Sequence, residues 1–124
     1  MVNKQDYINA IEQNIDMVRG DNLAFNFQLS GLGSRSAYAA LMVTFAVAEH
    51  YDDISIIECT NGNGIALENY DAVNDTATYS VFVAPNKTKT LDLARYYYDL
   101  QIKDNNNVVT LMRGRLALVY DVAD

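Results

Sequence analysis

Few residues in this chain are equipped for chemistry, and they lie far apart. Glu49-His50-Tyr51-Asp52-Asp53 sets the sole histidine among three acids. That group is able to bind a cation or shuttle a proton, and equally able to be a solvated turn, which is the reading adopted here. Cys59, the sole cysteine, follows a run of β-type residues in an acidic stretch. A reactive thiolate needs positive charge beside it, so Cys59 reads as a small, half-buried hydrophobe. Glu68 to Asp75 offers carboxylate and amide oxygens for calcium, but without the ligand spacing of a defined calcium loop, and it reads as a structural turn. Arg19-Gly20-Asp21 matches a tripeptide read by some adhesion receptors; between two strands it reads as a turn, with glycine for backbone freedom and aspartate as a cap. Gly62 and Gly64 lack the Gly-Lys-Ser/Thr and strand-to-helix context of a phosphate loop. No nucleophile with its base, no carboxylate pair and no Cys/His zinc set emerges. The expectation is therefore a non-enzymatic protein with no catalytic residues, no metal and no cofactor.

Composition narrows the partners. The 124 residues are half apolar, enough for one core and too few for two ordinary domains. Sixteen acidic against nine basic residues leave a net charge of −7, which opposes phosphate neutralisation, so no nucleic-acid partner is expected. A single cysteine leaves packing to do the work of an internal disulfide. Met1 to Gln13 is polar, unlike a secretory signal, and no apolar run approaches the roughly 18 residues that cross a membrane, so a cytoplasmically made protein without membrane contact is expected.

The elements that must position any site read as strands. Nine tyrosines, four phenylalanines and one proline favour an all-β chain. Tyr7, Ile8, Ala10 and Ile11 fall at near-helical spacing, which predicts a short helix or ordered arm over residues 1–14 ahead of a β domain at 15–124. Ile15–Val18 reads as a strand ended by the turn Arg19–Asn22. Leu23, Phe25, Phe27 and Leu29 alternate with polar or small residues, the pattern of a strand with one buried face. Ser30–Ser36 reads as a loop, Tyr38–Val47 as a strand, Glu49–Asp53 as a turn and Ile54–Ile57 as a strand. The Asn-Gly steps in Thr60–Gly64 predict a hairpin.

Tyr79, Val81 and Val83 alternate up to Pro85, which leaves Phe82 pointing outward, covered by a loop or held for an interface. Tyr96, Tyr98, Leu100 and Ile102 form another buried face. The tyrosine hydroxyls are expected to hydrogen-bond at its edge, as in the tyrosine corner of an immunoglobulin-type sandwich. Tyr97 faces out, as a contact residue or simply exposed. A turn at Asp104–Asn107 leads to Val108–Met112, and Leu116–Val122 forms the last strand. Turn spacing of this kind predicts an antiparallel two-sheet β-sandwich.

The run Thr88-Lys89-Thr90-Leu91-Asp92-Leu93-Ala94-Arg95-Tyr96-Tyr97-Tyr98-Asp99-Leu100-Gln101-Ile102, followed by Val109-Thr110-Leu111-Met112-Arg113-Gly114-Arg115-Leu116 and Tyr120-Asp121-Val122, resembles the end of a module of tailed-phage structural proteins. There a "T..L..G.Y.YDLQ" strand leads through a polar turn into "VxTLxxGxLxVxxDVT". Ile15 to Phe27 is similar to the same module's first strands, "I.I.RGDT..F.F.L". Ala94 or Arg95 stands where that pattern has glycine, and Ala123 where it has threonine; Ser34–Asn63 carries no match.

The resemblance implies an immunoglobulin-like sandwich of the kind found at the N-terminus of baseplate upper proteins and in head-decorating or fibre-anchoring proteins, where it attaches and does not catalyse. It implies a bacteriophage virion protein, made in the host bacterial cytoplasm and present in many copies. Its partners would be other phage structural proteins, either the major capsid protein or neck, tail or baseplate components. An end at Asp124, with no fibrous continuation, favours capsid decoration. A tail, neck or baseplate adaptor for a separate receptor-binding protein is the alternative, and a carbohydrate-binding sandwich is a second, weakened by the absence of tryptophan. The candidate interface residues are Tyr7, Ile8, Ile11, Phe82 and Tyr97.

Overall fold

Alternation of large apolar and small polar residues sets the frame of the molecule, because each strand that follows it can bury one face and wet the other. A computed structural model of the chain describes residues 11, 12, 14–51 and 53–119. Among these it has nine strands and one short helix: β1 Ile11–Glu12, β2 Ile15–Val18, β3 Leu23–Ser30, α1 Arg35–Ala39, β4 Met42–Ala48, β5 Ser55–Asn61, β6 Gly64–Asp71, β7 Thr76–Val83, β8 Arg95–Asp104 and β9 Asn107–Val119. The all-β class expected from composition is the class observed. Tyr7 and Ile8, and the tail of the last expected strand at Tyr120 and Val122, lie outside the described residues.

Hydrogen bonding runs through the strands in the order β1-β9-β8-β4-β5-β6-β7-β3, with β2 also on β9. Three strands separate β3 from β4 in that order, yet Phe25 of β3 meets Phe45 of β4 edge-on at 5.6 Å. The sheet therefore folds over on itself, with β2, β9, β8, β4 and β5 in one layer and β6, β7 and β3 in the other. Between the layers lie Phe45, Val47, Ile57, Tyr79, Val81, Tyr98, Leu100 and Leu116, all buried. Each such side chain contributes about 1.5–3 kcal/mol by leaving water.

The fold-over happens at Gly64. Only two residue pairs, Thr60 with Gly64 and Asn61 with Ile65, join β5 to β6, and they run parallel. The hairpin expected from the Asn-Gly steps is thus a corner between layers. A two-residue Asn-Gly hairpin needs positive φ at both central positions, and in Thr60–Gly64 only Gly62 (+80°) and Gly64 (+96°) have it. Asn61 is engaged elsewhere: its Oδ1 accepts from the Val43 N–H at 2.7 Å and its Nδ2 donates to the Leu41 carbonyl at 2.8 Å. A Cβ on Gly64 would lie 2.8 Å from the Phe82 carbonyl oxygen and 2.9 Å from the Cys59 sulfur.

Other sequence readings are also corrected. The expected strand Tyr38–Val47 begins only at Met42, and Arg35 and Ser36, expected in a loop, open α1. Ser34 caps that helix by accepting from the Ala37 N–H at 3.3 Å. Tyr38 is drawn out of any strand because its hydroxyl reaches Asp75 at 2.9 Å while accepting from the Leu32 N–H at 3.1 Å. Glu68–Asp71, expected as turn, belongs to β6; only 72–75 turn. The two expected C-terminal strands are one, β9, in which Leu111 is the extra residue of a bulge opposite Leu100 and Gln101. At the other end, Ile11 and Glu12 are extended and pair in parallel with Met112 and Arg113; residues 1–10 of the expected helix or arm lie outside the described residues.

The segments near the two ends of the described chain meet in space. β2 runs parallel to β9, Ile15 beside Leu116 and Val18 beside Val119. The turn after it is tied to the connection between β7 and β8: the Gly20 N–H donates to Thr88 Oγ1 at 3.0 Å, and Arg19 Nη1 donates to the Leu91 carbonyl at 3.2 Å. Thr88 is fully buried, so its hydroxyl is a structural acceptor. Tyr96, at the start of β8, donates its hydroxyl to the Asp92 carbonyl at 2.9 Å, an edge hydrogen bond of the kind expected from sequence.

Candidate functional site

Folding the sheet over leaves two outer faces. On the β3–β7 face the outward positions are Ala24, Asn26, Gln28 and Ser30 on one strand and Thr76, Thr78, Ser80 and Phe82 on the other. They pair directly across, Ala24 with Phe82, Asn26 with Ser80, Gln28 with Thr78 and Ser30 with Thr76. None is charged. β6 extends the neutral area with Ala66 opposite Ser80 and Asn69 opposite Thr78. Charge returns only at Glu68 in the β6 bulge and at Asp71 beside Thr76. Polar groups here are small or satisfied in place, as where Gln28 Nε2 donates to Thr78 Oγ1 at 3.3 Å. Phe82 stands on this face 47% exposed. An uncharged area with an exposed aromatic ring at one end is inexpensive to strip of water.

The opposite outer face is formed by β5, β4, β8 and β9 and is charged. Arg95, Asp99 and Lys103 alternate along β8, and Arg113 and Arg115 along β9. A trough follows β4, whose outward residues Thr44, Ala46 and Ala48 are small, between Ser55 and Glu58 on β5 and Tyr97, Asp99 and Gln101 on β8. The turn after β4 closes one end. There the Tyr51 ring lies 4.5 Å from Tyr97, and His50 6.5 Å from Tyr97. Tyr51 is also held by the Arg113 guanidinium, 4.5 Å from the ring centroid, and its hydroxyl donates to the Gly114 carbonyl at 3.2 Å. Hollows of about 270 and 260 Å³ flank the ring, with Asp99 and Gln101 lining both. Burial pushes the Asp99 carboxyl above its ordinary range, against the opposing pull of Arg113; Gln101 Nε2 donates to it at 3.3 Å.

The structure does not gather the sequence candidates into one site. Phe82 and Tyr97 lie on the outer faces of opposite layers. Ile11 is placed beside Met112 on β9, away from Phe82. Tyr97 is half-buried and packed into the aromatic corner, so it is neither covered nor freely exposed. Cys59 is buried, with its thiol pushed up by that burial and donating to the Phe82 carbonyl at 3.5 Å. Asp71 accepts from the Val73 and Asn74 N–H groups and from the Asn74 side chain, which together lower its pKa. Asp75 accepts from the Gly33 N–H and from Tyr38 and Tyr70. These carboxylates hold turns together. Among the described residues no cluster of His, Cys, Asp and Glu could hold a metal ion, and no helix is long and apolar enough to cross a membrane.

Asp99, Gln101 and Arg113 carry a sequence signal that the candidate list passed over, since alternation along β8 and β9 puts them on one polar face. Tyr51 carries none. No protein-family model and no curated protein matches the sequence.

Proposed function

We propose that the chain is a non-catalytic docking module with an immunoglobulin-like arrangement, a structural protein of a tailed-phage virion that decorates the capsid in many copies. The observation that carries the docking reading is the uncharged β3–β7 face with Phe82 at one end. In a chain of net charge −7, a surface of this size without charge keeps the cost of desolvation low where a partner would exclude water. β3 adds a neutral edge: among the described residues it pairs only with β7 and carries neither charge nor proline. Edges left unguarded in this way accept a further strand.

Two features support the immunoglobulin-like reading: the tyrosine corner at Tyr96 and the parallel pairing of β2 with β9. The phage reading rests on the two end motifs, and their joining through the Gly20–Thr88 hydrogen bond makes them parts of one structural unit. The test is quantitative mass spectrometry of purified particles made with the wild-type chain or with Phe82→Asp. Stoichiometric incorporation of the wild type at the capsid-lattice copy number, lost in the variant, is expected. A copy number matching a tail ring would replace decoration by the adaptor role, and undiminished incorporation of the variant would remove Phe82 from the interface.

A further inference from the structure

From the trough on the charged face we infer a second binding site, one for a short neutral oligosaccharide, separate from the docking face and independent of the virion reading. The shape comes from β4, where Thr44, Ala46 and Ala48 leave a low floor between taller walls. The chemistry comes from what stands on either side. Tyr97, with Tyr51 packed against it at 4.5 Å, offers an apolar ring at the trough suited to the C–H side of a pyranose. Along the walls, Asp99 and Glu58 accept hydrogen bonds, Gln101 accepts through Oε1 because its Nε2 is engaged with Asp99 and Thr110, and the Thr44 and Ser55 hydroxyls donate or accept. Ring hydroxyls are donors and acceptors at once, and such a mixed lining matches them.

Other ligand classes fit less well. Asp53, Glu58 and Asp99 oppose a phosphate or a sulfate, and the polar walls oppose a lipid. The cation position against Tyr51 is already taken by Arg113, so the corner is not an open cage for an ammonium group. The site is also organised in advance. Tyr51 is pinned by Arg113 and the Gly114 carbonyl, and Asp99 by Gln101, which in turn reaches Thr110 Oγ1 at 3.4 Å. Groups fixed before binding lose little entropy on binding. The hollows on the two sides of Tyr51 share Asp99 and Gln101, so adjacent sugar units would meet the same pair of polar side chains.

The experiment is an NMR titration of the full chain with neutral gluco-, galacto-, manno- and N-acetylglucosamine di- to tetrasaccharides, following backbone amides. Saturable shifts of Tyr97, Asp99 and Gln101 are expected with at least one series, with β3 and β7 amides unmoved. Tyr97→Ala should weaken that binding about ten-fold or more, the scale of one lost stacking contact. Glu58→Gln, at an exposed position that leaves packing intact, should weaken it several-fold, while Phe82→Ser leaves it unchanged. Absence of saturable shifts with every series overturns the inference. So does binding that survives both trough substitutions, or a stronger response to a lysine-rich peptide used in parallel.

Discussion

The two outer faces of this sheet are built on the same alternation and cover the same core, yet one is bare of charge along β3 and β7 and the other is studded with it. Along β3 and β7, every outward residue from Ala24 to Ser30 and from Thr76 to Phe82 is small, polar-neutral or aromatic. Along β8 and β9, outward positions hold Arg95, Asp99, Lys103, Arg113 and Arg115. Core packing does not require this difference, because the inward residues of both layers are similarly apolar. On the proposed reading it follows from what each face would meet: water and soluble ligands on the charged side, and a partner that must displace water on the neutral side.

The seam between the faces is the place to break the comparison most severely. Gly64→Val places a branched side chain at φ +96° against the Phe82 carbonyl and Cys59. A loss of about 3 kcal/mol or more is expected in urea unfolding, with both faces disrupted together. Next in size, Phe82→Ser should lower affinity for the docking partner about thirty-fold, the effect of removing an interface anchor. Its unfolding midpoint should barely move, because the ring is already half in water, and Tyr97→Ala should leave docking intact. Thr88→Val removes the buried acceptor of the Gly20 N–H with little change in shape, and about 1–3 kcal/mol of stability should go with it; docking by the folded fraction should be unchanged.

The smallest effect is at Asp99, on the charged face. Its carboxyl is raised above 3.8 by burial, so the folded chain holds this proton more tightly than the unfolded one. The group therefore destabilises the fold at neutral pH, and the penalty fades as pH falls through the folded pKa and is gone below 3.8. Asp99→Asn is expected to raise the melting temperature slightly at pH 7 and to leave it unchanged at pH 3, read by thermal unfolding at both values.

How much of this was legible in the sequence follows from where periodicity survives. β7 and β8 keep a clean period of two because one face is buried along their length, so Phe82 and Tyr97 were assigned outward from the same rule. β6 was missed because the bulge between Leu67 and Asn69 shifts the period within a single strand. α1 is too short to show a helical repeat, and it is fixed by Tyr38 reaching Asp75 far along the chain. The corner at Gly64 looked like a hairpin because Asn-Gly steps report turning but not which strand comes next. Asp99 and Gln101 were visible as polar positions; that Tyr51 folds over them depends on Arg113 and Gly114, contacts no local pattern contains.

Amide hydrogen exchange, compared between the free chain and the chain bound in purified virions, tests the docking claim most directly. Slowed exchange over Leu23–Ser30 and Thr76–Val83, with β8 and β9 unchanged, is the expected result. Protection confined to Arg95–Asp104 and Asn107–Val119, with β3 and β7 unprotected, would contradict it.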